Sequence, residues 1–461
     1  MRLHRAQFLA LAGIVPLVVI TSLSSLARAS GFAAARFGGE HGNVTTDNPT
    51  ALWFNPAGIG FSEGTQLFLD GTLAMRHATY EHSMAPTDMP EPPGAQGASF
   101  GKATLFNVFG GPMAGATTRV GRLAFGLGLM VPFGGRAHWG TNDKFKNDPM
   151  FPLAADGIQR WQNIEGALTF IYFSGAMAYR LGPVSVGVTG SLVRSSVYSS
   201  QAKNPVGNGD PDLTHEGRAV IDVSGYQPSI GLGIMVEAIA NRLWLGVGYQ
   251  SQPGFGPMTL HGTLRITYKD SDAPLNVDFH QALPDSLRAG ARFRPIPTLE
   301  LRLSGEYMRW SVMQSQCVSL RNDPCLVDTA GADATPMGTT IQNLRRYWKD
   351  TYGVRAGASG WLSPGTELFG GVGFETAATP DSTLEAGLPD AANFAASLGA
   401  RFRVLPTLFV AASYTHIQYL DRDNTGKSQL AQAELPTRLP DAGGKYTAWI
   451  GILNVNLQKQ F

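Results

Sequence analysis

The chain is expected to be all-β: a transmembrane antiparallel β-barrel of about fourteen strands whose amino-terminal segment folds into the lumen as a hatch. Three observations lead there. Strand-like runs are joined by connections that alternate between very short and very long. Charged residues make up 15% of the chain, against about 25% in an ordinary soluble protein. The last stretch, Tyr446 to Phe461, has the period of a strand. In it Trp449, Leu453, Val455, Leu457 and Phe461 are apolar, while Asn454, Asn456, Gln458 and Gln460 are amides, so one face is greasy and the other wet. In a soluble sheet such a strand leaves an open edge; in a barrel it pairs back to the first strand and removes that edge.

In chain order, residues 1–29 read as a secretory signal peptide. Arg2, His4 and Arg5 give a basic start, Phe8 to Ile20 an apolar run, and Ala27-Arg28-Ala29 a small-x-small cleavage pattern. Gly13 and Pro16 break the run, which is too short for a spanning helix. The mature chain then begins at Ser30, and no later stretch is a long charge-free apolar run of the kind a membrane helix needs. With 36 basic and 35 acidic residues there is no field that favours nucleic acid as a partner. Cys317 and Cys325 are close together in a polar stretch of an exported chain, which is most simply a loop disulfide. Their spacing fits no zinc or redox motif, and no metal or cofactor is expected.

Residues 30–64 precede the first strand and carry Phe37-Gly38-Gly39, Asp47-Asn48-Pro49 and Leu52-Trp53-Phe54-Asn55-Pro56-Ala57-Gly58. A segment of this length ahead of a barrel, here residues 65–461, can plug it. Strand-like runs follow near 65–80, 100–118, 122–136, 160–180, 183–200, 218–238, 242–262, 283–294, 298–312, 349–362, 366–378, 393–404, 407–421 and 445–461. Tight turns such as Leu181-Gly182-Pro183 and Ser363-Pro364-Gly365 alternate with long polar loops at 81–99, 137–159, 201–217, 263–282, 313–348, 379–392 and 422–444. Short turns at one end and long loops at the other is the asymmetry of an outer-membrane barrel.

The faces of the strands add detail. Over 122–134 one parity reads Leu123, Phe125, Leu127, Leu129, Val131, Phe133, and the other Ala124, Gly126, Gly128, Met130. The Gly-x-Gly pattern recurs at Gly231/Gly233, Gly246/Gly248 and Gly371/Gly373, in keeping with 55 glycines in all, and no phosphate-cradling motif accompanies it. A lumen face kept small leaves room for a plug or a ligand. Trp161, Trp244, Trp310, Trp348, Trp361, Tyr414 and Trp449 lie near strand ends and suit interfacial girdles.

Ser30-Gly31-Phe32 followed by Asn55-Pro56-Ala57-Gly58 resembles the hatch of the FadL/TodX-like outer-membrane transporters of long-chain fatty acids and other hydrophobic compounds. Leu283-Pro284-Asp285, Arg288-Ala289-Gly290, Glu306-Tyr307 and Trp310 resemble the middle of that family. Trp348-Lys349-Asp350-Thr351-Tyr352, Arg355, Gly357, Thr379-Pro380-Asp381 and Leu388-Pro389-Asp390 resemble its last third. The resemblance implies uptake of hydrophobic molecules, most simply long-chain fatty acids, with Phe32 near a ligand pocket. It also implies a sideways exit through the wall at Pro132, Phe133 and Gly134. Separately, the terminal Phe461 with apolar residues at alternating upstream positions resembles the assembly signal read by the barrel-assembly machinery. Read from the residues alone, Pro132 cannot donate to a ladder and marks either a break in the wall or the point where the strand leaves for its loop. Phe32 could equally belong to a flexible mature terminus, and Asn55-Pro56 to a simple turn.

Apolar loop residues Met84, Met89, Met150, Phe151, Leu153 and Ile158 could collect ligand. The expected partners are a hydrophobic small molecule and outer-membrane lipid, with the chain a monomer. A passive porin is the main alternative, although long charged rows that would line a water-filled lumen are not evident. A lipid hydrolase is the other. No Gly-x-Ser-x-Gly elbow is present, and His215-Glu216 and His280 lack metal-ligand spacing, so an enzyme is not expected.

Overall fold

Strand pairing closes a cylinder. The computed structural model describes residues 36–86, 88–204, 212–268, 271–328, 334, 339–434 and 439–461. The expected leader, residues 1–29, and Phe32 lie outside them. The strands are β1 (Thr65–His82), β2 (Gly101–Val120), β3 (Leu123–His138), β4 (Glu165–Leu181), β5 (Val184–Lys203), β6 (Gly217–Ile239), β7 (Leu243–Gln250), β8 (Met258–Tyr268), β9 (Ser271–Gln281) and β10 (Ser286–Ile296). They continue with β11 (Leu299–Met308), β12 (Ser315–Leu320), β13 (Thr340–Arg345), β14 (Thr351–Ser363), β15 (Thr366–Glu375), β16 (Asn393–Leu405), β17 (Leu408–Tyr419), the short β18 (Arg422–Asp423) and β19 (Lys445–Gln460).

Every wall pairing is antiparallel. The ring runs β1 to β7, then β10, β11, β14, β15, β16, β17 and β19, fourteen strands, and returns to β1. Closure is long: β19 pairs with β1 from Gln66–Gln460 to Glu81–Lys445. The backbone N–H of Phe461 donates to Thr65 O at 2.9 Å, and its ring is 68% exposed. Outward positions such as Leu67, Leu69, Leu73, Leu453, Val455 and Leu457 are exposed apolar residues, while Asp70, Asn454, Asn456 and Gln458 on the opposite parity are buried. The period of the sequence thus places hydrocarbon-facing and lumen-facing side chains on alternate residues. No helix among the described residues is long and apolar enough to cross a membrane.

Two stretches expected as loops, 263–282 and 313–348, contain strands instead. β8 continues from β7 and pairs with the upper half of β6, β9 pairs with β8, β12 with β9, and β13 with β12. Together they raise the wall into a rim. Large exposed apolar side chains line the wall strands, but among the described residues of these four strands there is one, Leu320. A strand that stands above the lipid needs ladder partners and no lipid-facing stripe, so its polarity imitates a loop. Cys317 on β12 is disulfide-bonded to Cys325, with Cα atoms 6.4 Å apart, and fastens the end of this rim.

At the junctions of wall and rim Leu283, Trp310, Met313 and Trp348 are buried, and Trp310 and Trp348 meet edge to face at 5.0 Å. Trp244 is buried with Ala57, Phe61 and Met235, and Trp161 with Phe145 and Phe151. These four tryptophans therefore belong to the interior and not to an interfacial girdle. Tyr414 is exposed, and Trp361 and Trp449 are half-buried.

Candidate functional site

Residues 36–64 fill the lower lumen, and the local sequence explains how they are held. The helical turn Ala51–Phe54 is followed by the 3-10 turn Pro56–Phe61, all of it buried. Pro56 opens that turn, where a missing N–H costs nothing. The Asn55 side chain caps it by accepting from the Ala57 N–H at 3.1 Å, while its Nδ2 donates to Val44 O at 2.8 Å and to Ile234 O of β6 at 3.1 Å. One amide thus ties the turn to itself, to the preceding chain and to the wall. At Gly58 an added Cβ would lie 2.0 Å from Thr46 O, so the packing requires glycine there.

The expected small lumen face serves this segment. Cβ atoms added at Gly126 and Gly128 would meet Leu52, at Gly233 the Asn55 side chain, at Gly246 the Val44 carbonyl, at Gly248 the Phe54 carbonyl and at Gly371 Glu40. On the other side the attachments are polar. Arg288 pairs with Glu306 at 2.7 Å, donates to Trp53 O at 3.3 Å, and lies over the Trp53 ring at 4.9 Å. Arg292 pairs with Asp47 at 3.0 Å, His41 with Glu367 at 2.8 Å, and the Gly38 N–H donates to Asp70 at 2.9 Å. Replacing Asn55 by Ala strands the buried Val44 carbonyl and removes the tie to Ile234 of the wall, and is expected to destabilise the segment by about 1–3 kcal/mol. Asn55→Asp keeps the cap but loses both donors, so it should cost nearly as much. Protease release of the amino-terminal segment from the intact barrel measures both.

The wall is interrupted beside this segment. β2 and β3 pair from Val120–Leu123 up to Met113–Met130 and then part. Above that point, among the described residues, Asn107 exchanges hydrogen bonds with the His138 backbone, and one bridge joins Leu105 to Trp139. Pro112 on β2 and Pro132 on β3 lie where pairing fails, and neither has an N–H to give. Against β4, β3 advances from Met130 to Phe133 while its partner advances only from Tyr172 to Phe170, so β3 holds one extra residue. That bulge inverts the expected parity. Val131 and Phe133 were expected to face outward, yet Val131 through Gly135 are all buried. Phe133 turns inward onto Trp53 of the segment at 5.8 Å and Trp310 at 6.4 Å, and Trp53 also meets Tyr172 at 5.2 Å. Gly111 faces open space.

Just above the break lies an apolar cavity with an empty volume of about 830 Å³. Gly135 and Ala137 of β3 form one side, Leu168, Val197, Ile221, Leu264, Phe279 and Val318 are among its apolar lining, and polar side chains such as Gln201 and Gln316 also reach it. Val197, Ile221, Leu264, Phe279 and Val318 belong to the same buried cluster as Leu52, Trp53, Met130, Phe133 and Trp310, so apolar packing runs unbroken from the cavity to the break and the segment. A second cavity, about 770 Å³, lies between the segment and β11, β14 and β15; Arg36, Glu306, Arg355 and Glu375 line it, and it is polar. In the loops, Met84, Met89 and Met150 are exposed, Leu153 is half-buried, and Phe151 and Ile158 are buried.

A family model described as outer membrane protein transport protein (OMPP1/FadL/TodX) matches residues 21–458. The chain belongs to this FadL/TodX family. It is an outer-membrane channel for hydrophobic compounds in a Gram-negative bacterium, and not an enzyme. A FadL homologue from Pseudomonas aeruginosa has the same fold, with 16% identity, a TM-score of 0.73, and coverage of 95% of this chain and 100% of that one. The toluene transporter TodX of Pseudomonas putida is 14% identical with a TM-score of 0.60, covering 95% and 97% of the two chains. The monoaromatic hydrocarbon channel CymD is 14% identical with a TM-score of 0.61, covering 94% and 98%. Curated protein sequences yield no match.

One pair in this FadL/TodX-family chain looks like chemistry and is structural. His280 Nε2 on β9 lies 3.0 Å from Ser319 Oγ on β12. Ser319 is fully buried and donates to Asp323 O at 2.7 Å, and the other imidazole nitrogen faces the Thr259 hydroxyl at 3.2 Å in place of a carboxylate. Burial lowers the His280 pKa, with Asp278 acting against it. Neither an activated nucleophile nor an oriented base results. No group of His, Cys, Asp or Glu among the described residues is placed to hold a metal ion.

Proposed function

We propose that this channel takes up hydrophobic molecules, long-chain fatty acids first among those to be tested, and passes them sideways through the wall between β2 and β3. The observation that carries this reading is the interruption above Met113 and Met130, which adjoins the apolar cavity. Residues 30–64 serve as the hatch, with Asn55, Pro56, Ala57 and Gly58 as its fastening, and Pro132, Phe133 and Gly134 form the lateral gate. Trp53 stands behind Phe133, so a shift of the hatch would clear the inner threshold of the gate.

Energetics favour stages over one deep site. A sixteen-carbon chain gains about 0.8 kcal/mol per buried methylene, about 12 kcal/mol in all, and a single pocket that captured all of it would release ligand too slowly. Exposed Met84, Met89 and Met150 would collect ligand, the cavity would hold it, and hatch movement would pass it to the gate. The polar cavity lined by Arg36, Glu306, Arg355 and Glu375 favours a second reading, passive passage of small polar solutes. Mass spectrometry of gently solubilised protein tests the choice. An acyl or hydrocarbon compound that copurifies at near-stoichiometric amount is expected; detergent alone, with small-solute permeation that survives hatch removal unchanged, would favour the porin.

A further inference from the structure

The apolar cavity carries a polar end that a plain hydrocarbon cannot use. Gln201 Nε2 donates to Gln342 Oε1 at 3.1 Å, which leaves Gln342 Nε2 buried without a partner, and Asn163 Oδ1 is likewise unpartnered. Both side chains are more than nine-tenths buried, and both line the cavity. The site therefore offers an N–H that seeks an acceptor and an oxygen that seeks a donor. Arg346 and Glu385 also line it, but they pair with each other at 2.8 Å, each about 6% exposed, and Arg346 Nε is further committed to Gln316 Oε1 at 2.8 Å. Charge at this end is already balanced.

Resting on the pocket reading above, we propose that the cavity selects amphiphiles with an uncharged head that both accepts and donates a hydrogen bond, such as an alkanol, a primary fatty amide or a fatty acid in its protonated form. An alkane or an alkylbenzene leaves both amide atoms unsatisfied in an apolar enclosure, and a site built for a hydroxyl discriminates strongly against its deoxy analogue. A carboxylate accepts from Gln342, but it offers nothing to Asn163 and adds an unpaired charge beside Glu385. The apolar body is left to the side chains below, which hold it without regard to its head.

The test is equilibrium binding of radiolabelled 1-dodecanol, dodecane and dodecanoate at pH 8 to the full chain in phosphatidylcholine nanodiscs, counted against protein-free nanodiscs. Dodecanol should bind about tenfold or more tighter than either of the others. Gln342→Leu and Asn163→Leu should each erase most of that advantage, with dodecane binding tightening because one fewer amide is left unsatisfied. Equal binding of dodecanol and dodecane overturns the selection and leaves the pocket reading standing, as does dodecanoate binding tightest. No binding of any of the three above the protein-free control removes the pocket reading itself, and this inference with it. The comparison of ligands on the unaltered protein decides even where a variant fails to fold.

Discussion

Deletion of Pro132 in a Pro112→Thr background is expected to cut uptake of hydrophobic ligand by at least about tenfold, a barrier increase of about 1.4 kcal/mol, while the barrel still assembles. The argument rests on register. Below the break Met113 faces Met130, and above it Leu105 faces Trp139. The residue numbers in the two pairs sum to 243 and 244, so β3 carries a single residue too many relative to β2, as it does relative to β4. Removing one residue brings both ladders into register at once. Threonine at 112 then restores the N–H that proline lacks, and its β-branched side chain suits a strand. Each ladder bond gained is worth about 1 kcal/mol, and several form together, so the closed wall becomes the dominant state. Uptake of a labelled fatty acid by cells reports the loss, and heat-modifiable gel mobility verifies the barrel. Undiminished uptake in a properly folded variant would mean that ligand leaves by another route, past the segment and out of the lower end.

The parts of this fold that were legible in the sequence are those on which lipid imposes a pattern. Wall strands such as β1, β16 and β19 show apolar residues at alternate positions over most of their length, and the short turns such as Leu181-Gly182-Pro183 mark the ends. The closing strand was the clearest, because its amides face the lumen and pair there with polar side chains: Gln458 Nε2 donates to Gln66 Oε1 at 2.9 Å and Asn454 Nδ2 to Thr72 Oγ1 at 2.7 Å. The rim was not legible. β8, β9, β12 and β13 stand clear of hydrocarbon, so their composition is that of a loop, and the amides of the cavity, Gln201, Gln316 and Gln342, lie on or beside them. Trp310 and Trp348 misled for a related reason, since a tryptophan near a strand end belongs to the girdle only if it faces lipid, and here both pack into the buried interior cluster.

The break in the wall was half legible. Pro132 drew attention as a residue that cannot donate, but its counterpart Pro112, preceded by Gly110-Gly111, carries the same signal on the neighbouring strand. Two prolines on adjacent strands become informative only once the register is known, because pairing ends at Met113–Met130, one residue short of Pro112 on β2 and two short of Pro132 on β3. The parity error at Val131 and Phe133 has the same origin. A bulge adds one residue, every later side chain changes face, and nothing in the period announces it.

Gly248→Leu is expected to turn the plugged barrel into an open one. A Cβ at that position would lie 2.3 Å from Phe54 O, and at neighbouring Gly246 it would lie 2.4 Å from Val44 O, so the collision is with backbone and no rotamer relieves it. The wall cannot yield, since β7 is laddered on both sides, to β6 and to β10. The segment must move instead. Its fastening is concentrated nearby, because Asn55 holds Val44 and Ile234 through one amide, and displacement of Phe54 pulls on that amide directly. Overpacking alone costs about 1–3 kcal/mol, and loss of the Asn55 hydrogen bonds, which leaves the buried Val44 carbonyl unpaired, adds a similar amount. With the segment out of place, the lumen should pass small solutes: single-channel conductance in planar bilayers should rise from near zero to a steady open level, and residues 36–64 should become protease-sensitive. Gly190→Leu is the matched control, because that glycine on β5 has open space around it, and it should leave the bilayer silent. A silent bilayer with Gly248→Leu, in a folded barrel whose segment has become cleavable, would show that something other than residues 36–64 closes the lumen.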